Sequence, residues 1–135
     1  MPPATSTYPK LSLLIGHENA GIASKIIEVC EQLYTVTAER VVSAADLEHV
    51  LGRSAWDVVI SSLELPGLTS KVLFELARLD AEAPPFIATM RLDLGLSPGS
   101  LGTEDLVLES DLKRLVPSVQ RAVHGATERR RTRSA

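Results

Sequence analysis

Short apolar runs alternate along this chain with stretches of helical periodicity. Leu11 to Ile15 is an apolar run interrupted by one serine, the pattern of a buried strand. Asn19 is placed to cap a helix in which Ile22, Ile26, Cys30 and Leu33 recur on one face. Tyr34 to Val42, rich in Thr, Val and Tyr, predicts a second strand. Ser43 then caps a short helix that turns Leu47, Val50 and Leu51 inward. Trp56 to Ser61 is a third strand. Thr69 or Ser70 opens a helix with Val72, Leu73, Leu76 and Leu79 on one side. Phe86 to Met90 is a fourth strand, Leu106 to Leu108 a very short fifth. A last helix opens at Ser110 or Asp111, with Leu112, Leu115, Val116, Val119 and Val123 towards the sheet.

Strands alternating with helices predict β-α-β units, hence an α/β fold with a parallel sheet and helices on both faces. Five strands suit the doubly wound, flavodoxin-type order 2-1-3-4-5. Its crevice lies between the first and third strands, at their carboxyl ends. Two places break the pattern. Between the fourth and fifth strands, Gly95, Pro98, Gly99 and Gly102 disfavour a regular helix, so the fourth helix is expected to be degraded or missing. Pro117 lacks an N–H and either kinks the last helix or starts a new segment.

Composition narrows the classes. The 135 residues suit one domain, and at 44% hydrophobic with only 4% aromatic its core must be aliphatic. No apolar run approaches the roughly 20 residues of a membrane helix, and the first residues hold no apolar block of signal-peptide type. A cytoplasmic protein is expected. Residues 1–9, with Pro2, Pro3 and Pro9, read as a disordered lead-in, 10–125 as the folded domain and 126–135 as a basic disordered tail. The single Cys30 rules out an internal disulfide, and its place on a helical apolar stripe marks it as a core thiol. Net charge is −3. The last ten residues sum to +3, which leaves −6 on the 125 before them. An acidic body does not read as a nucleic-acid surface.

The most informative stretch is WDVVISSLELPG, Trp56 to Gly67: a buried strand that stops at two serines and a Pro-Gly turn. Together with the PPFIAT strand and EDLVLESDLKRLVPSVQRAV at the end, it resembles a response-regulator receiver (CheY-like) domain over roughly Lys10 to Gly125. Phosphate-accepting receivers place four features in the crevice. Two acidic residues after the first strand bind magnesium, and an aspartate after the third strand takes the phosphoryl group. A Ser or Thr after the fourth strand hydrogen-bonds that group, and a lysine after the fifth neutralises it. By this resemblance the acidic pair falls on His17 and Glu18, the phosphoacceptor on Ser62, the hydroxyl position on Met90 with Thr89 one residue away, and the lysine on Glu109. Only Glu18 keeps the required chemistry. The resemblance therefore implies a pseudo-receiver without aspartyl phosphorylation.

Other chemistry for the same residues stays open. His17, Glu18, Ser61, Ser62 and Glu109 together could form a Ser–His–Glu hydrolytic set, although no G-x-S-x-G elbow is present. His17, Glu18 and Glu109 could ligate a metal. The plainest reading is a plugged pocket, with His17 bonded to Glu18 or Glu109. No cofactor, metal or enzymatic activity is expected. The expected function is a stand-alone, interaction-based signalling module with a protein partner such as a sensor kinase or another regulator. A phosphorelay receiver with residual acceptor activity at Glu18 or Glu64 is the alternative. The family's usual contact face, made by its fourth helix, fifth strand and fifth helix, would serve a partner or a homodimer. Leu92, Leu94, Leu96, Leu101 and Leu106 are its candidate residues here, unless they only cover the core.

Overall fold

A computed structural model describes residues 8–53, 55–77, 84–92, 95–96 and 101–134. Five strands, β1 (Lys10–Gly16), β2 (Thr35–Val41), β3 (Val58–Ser62), β4 (Phe86–Met90) and β5 (Asp105–Leu108), form one sheet in the order β2-β1-β3-β4-β5. All four pairings are parallel. The helices are α1 (Ala20–Cys30), α2 (Ala44–Leu51), α3 (Ser70–Ala77) and the C-terminal α4 (Leu115–Ser134), the last preceded by a 3₁₀ segment over Glu109–Arg114. This is the expected doubly wound order.

Local chemistry accounts for the helix starts. Asn19 Oδ1 accepts from Ile22 N–H at 3.0 Å, Ser43 Oγ from Asp46 N–H at 3.2 Å, and Thr69 Oγ1 from Val72 N–H at 3.1 Å. Each cap satisfies one backbone donor that the helix itself cannot pair. Pro117 falls in the first turn of α4, where its missing N–H leaves no hydrogen bond unmade. The kink precedes it, at Asp111 in the 3₁₀ segment.

The strands divide their side chains between two cores. Leu11, Leu13, Ile15, Val58, Ile60, Ile87 and Val107 pack with α1, Leu115 and Val119 on one face. Leu14, Val59, Phe86, Ala88 and Met90 pack with Leu47, Val50, Leu73 and Leu76 on the other. The period-2 alternation within nearly continuous apolar strands is what a sheet covered on both faces demands. Trp56 is half-buried against the second core and donates Nε1–H to Val50 O at 3.2 Å.

Three expectations need revision or restriction. Helix α4 runs to Ser134, through most of the stretch expected to be a disordered tail. After Gly125 the sequence holds only Ala, Glu and Arg with a few Thr and Ser, and no Gly or Pro ends the helix. Leu101 and Leu106, candidates for a partner surface, are buried in the second core and serve packing. The degraded fourth helix is expected over residues 91–102, half of which lie outside the described residues, as do Leu94 and Leu79.

Cys30 is buried in the first core, and burial, with the Glu31 carboxylate adding to it, pushes its thiol up to about 12. The folded chain thus holds this proton more tightly than the unfolded chain does. The resulting stability is fully present below about pH 9 and is lost as pH rises towards 12. Between those limits the Cys30 contribution falls by about 1.4 kcal/mol per pH unit. Urea unfolding at a series of alkaline pH values should show a shallower loss in Cys30→Ala than in the parent chain. Parallel slopes would refute the assignment.

Candidate functional site

The carboxyl ends of β1, β3, β4 and β5 surround an open cleft of about 790 Å³, lined by His17, Glu18, Asn19, Ile22, Ser62, Glu64, Arg91, Glu109 and Ser110. This is where a doubly wound sheet places its crevice. Gly16, at the end of β1, allows close approach to β3. A Cβ there would lie 2.8 Å from Ser61 Oγ and 3.0 Å from Leu65 Cδ2. His17 follows immediately, held by its own N–H to Val41 O at 3.0 Å.

His17 is 6% exposed and both of its ring nitrogens are engaged. Nδ1 accepts from Asn19 N–H at 3.0 Å, so the ring proton sits on Nε2 and is donated to Glu109 Oε2 at 2.8 Å. Thr89 Oγ1 donates to the same oxygen at 3.2 Å. The side chains of His17 and Glu109 are 8% and 9% exposed, so the pair is shielded from solvent. One carboxylate oxygen thus ties together residues from the ends of β1, β4 and β5. Of the two partners expected for His17, the structure selects Glu109. The side chain of Glu18 stays exposed while its carbonyl accepts from Arg40.

The β-sheet register corrects one assignment. Thr89 pairs directly with Ser62, and its hydroxyl enters the crevice, whereas Met90 is buried in the second core. Thr89, rather than Met90, presents its side chain to the crevice. Ser62 is 2% exposed, and its Oγ accepts from Glu64 N–H at 3.0 Å, closing the turn after β3. Ser61 is equally buried and donates to Ser62 O at 3.2 Å.

Arg40, on β2, was not foreseen. Its guanidinium donates to His17 O at 2.9 Å and Glu18 O at 2.8 Å, clamping the β1–α1 loop from the edge strand. Its targets are backbone carbonyls, which leave no mark on the sequence. Arg91 reaches Glu64 Oε2 at 3.4 Å across the cleft mouth, with both side chains more than half exposed, so the pair adds little stability.

A metal ligand must present a lone pair, and both nitrogens of His17 are committed. Among the described residues no group of three or more His, Cys, Asp or Glu side chains is arranged to hold a metal. A hydrolytic serine must reach its base, and here His17 faces Glu109 while Ser62 caps a turn. The arrangement can fix the ends of three strands relative to one another. No helix among the described residues is long and apolar enough to cross a membrane.

No family model and no curated protein matches the sequence, but solved structures do match the fold. A sensor protein from Polaromonas sp. JS666 superposes with TM-score 0.73 at 19% identity, over 87% of this chain and 99% of that one. The response regulatory domain of protein mrkE from Klebsiella pneumoniae gives 0.71 at 11%, over 87% and 99%. A CheY-like response regulator receiver domain from Methylobacillus flagellatus gives 0.64 at 21%, over 82% and 98%. The fold is that of response-regulator receiver domains. In the crevice of this fold His17 and Glu109 are joined by a hydrogen bond.

Proposed function

We propose that this chain is a receiver-fold signalling module that works by binding a protein partner, without aspartyl phosphorylation. The observation that carries this reading is the Glu109 carboxylate, which takes hydrogen bonds from both His17 and Thr89 inside the crevice. In a phosphorylatable receiver the same space holds a magnesium ion and a phosphoryl group. Here an internal anion occupies it and leaves a second anion facing repulsion. At about 4 Å and an effective dielectric near 20, one like-charge pair is unfavourable by about 4 kcal/mol. Ser62 offers no carboxylate to attack a phosphohistidine.

The partner falls in the class that receiver folds serve, a sensor kinase or another regulator. Leu92 and Leu96, exposed beyond β4, are the described part of the apolar surface available to it.

Incubation of the purified chain with acetyl phosphate and magnesium, followed by intact-mass measurement, tests the reading. No added phosphoryl group is expected. One phosphate gained on Glu18 or Glu64 would overturn it in favour of a phosphorelay receiver with a displaced acceptor.

A further inference from the structure

Strand β2 closes one side of the sheet, and its one strand neighbour among the described residues is β1. In a parallel pair each residue turns its N–H and C=O to the same side, and that side alternates along the strand. Thr35 N–H donates to Pro9 O at 2.9 Å and Val41 O accepts from His17 N–H at 3.0 Å, so the odd-numbered residues of β2 bond β1. The N–H and C=O of Val36, Ala38 and Arg40 therefore face away from the sheet, and no described strand lies beyond them. Thr35, Thr37, Ala38 and Arg40 are exposed. An edge strand is usually guarded by Pro, Lys or another charge aimed outward. Neither Pro nor Lys occurs in β2, and its two charged side chains are engaged within the chain. Arg40 donates to His17 O and Glu18 O, and Glu39 pairs with Arg53 at 3.1 Å.

We infer that β2 pairs antiparallel with β2 of a second copy of this chain, about a two-fold axis at Ala38. Full overlap of the 7 residues sets that register. Thr35 then opposes Val41 of the other copy, Val36 opposes Arg40, Thr37 opposes Glu39, and Ala38 opposes its own equivalent. In this register the outward residues meet one another. The facing pairs Val36–Arg40, Ala38–Ala38 and Arg40–Val36 exchange two backbone bonds each, about six hydrogen bonds in all. No like charges stand opposite. Moving the dyad to residue 39 or 40 would set Glu39 against Glu39 or Arg40 against Arg40, which is unfavourable. The edge is thus complementary to itself at full overlap, and this favours a second copy over a foreign strand. The contact is isologous, so it closes as a dimer and joins two five-stranded sheets into one.

Sedimentation velocity should show a monomer–dimer equilibrium that saturates at two copies. Amide exchange read by NMR should place the contact. Protection at Ala38 and Arg40 should rise with concentration, while Thr37 and Glu39, bonded to β1, stay protected at every dilution. Ala38→Pro removes an N–H that β1 does not use, so it spares the ladder within the chain. It should raise the dimer dissociation constant by about tenfold or more, since both central bonds are lost. Ala38→Lys and Ala38→Glu each set like charges opposite one another at the dyad and should also weaken pairing. Mixing those two chains should restore a dimer, because the proposed register brings position 38 against itself. Circular dichroism checks that each variant is folded. A parent chain that stays monomeric at millimolar concentration would overturn the inference. So would a dimer indifferent to all three substitutions, or a mixture of the Ala38→Lys and Ala38→Glu chains that does not pair. Outward amides protected at every dilution, as cover from within the chain would give, or protected only on adding a foreign strand, would overturn it too.

Discussion

Glu109→Lys should destabilise the fold by about 3–5 kcal/mol, the range for leaving an uncompensated charge in a buried site. The His17 Nε2–H now donates to the Glu109 carboxylate in a site where both side chains are at least nine-tenths buried. A lysine would set an ammonium against that N–H and remove the acceptor of the Thr89 hydroxyl. His17→Asp, added to Glu109→Lys, should restore most of the loss, because a carboxylate then faces the ammonium across the same gap. The two sites touch, so their effects should be far from additive, with a coupling on the order of 2–3 kcal/mol. Urea unfolding of the two single variants and the double variant reads this directly, provided the denaturant slopes agree. If Glu109→Lys loses less than about 1 kcal/mol, the pair is dispensable and the crevice is not locked by it.

How far the sequence revealed the molecule depended on the range of each interaction. Asn19 and Ser43 bond backbone groups three residues ahead, so their caps were legible locally. Alternation of strands and helices gave the sheet order, because parallel connections admit few topologies. The cation clamp by Arg40 was invisible, since it acts through carbonyls that every residue carries. Thr89 and Met90 differ by one residue, and in a strand one residue exchanges the two faces. Only the pairing of Ser62 with Thr89 decides which side chain enters the crevice.

Two misreadings have a common cause. Leu101 and Leu106 are apolar in sequence whether they meet a partner or the core, and only three-dimensional packing separates these. The arginine-rich stretch after Gly125 carries the charge pattern of a solvated tail. Its backbone preference, in a segment free of Gly and Pro, favoured continuing α4. The crevice residues His17, Ser62 and Glu109 were legible in the sequence as candidates. That His17 would turn to Glu109, 92 residues away, and not to its neighbour Glu18, required the fold.

On the proposed reading, phosphoryl acceptance should be obtainable by substitution. A triple variant, His17→Asp, Ser62→Asp and Glu109→Lys, is expected to bind magnesium and to take up one phosphoryl group from acetyl phosphate, where the parent takes none. With Glu18 unchanged, the first strand again ends in two carboxylates and the third in one, the oxygen-rich set a hard cation prefers. The lysine supplies the positive charge that stabilises the transferring group. Thr89 needs no change, since it already lies in register with position 62, and removal of the Glu109 carboxylate frees its hydroxyl to face the incoming phosphate. Ser62→Asp alone should fail, because the Glu109 anion would remain beside the new carboxylate with no cation between them. Intact mass with and without magnesium, on variants whose thermal unfolding stays cooperative, separates these outcomes. A folded triple variant that accepts no phosphate would mean that the obstacle lies in the backbone of the crevice loops, such as the β1–α1 segment held by Arg40, and not in three exchanged side chains.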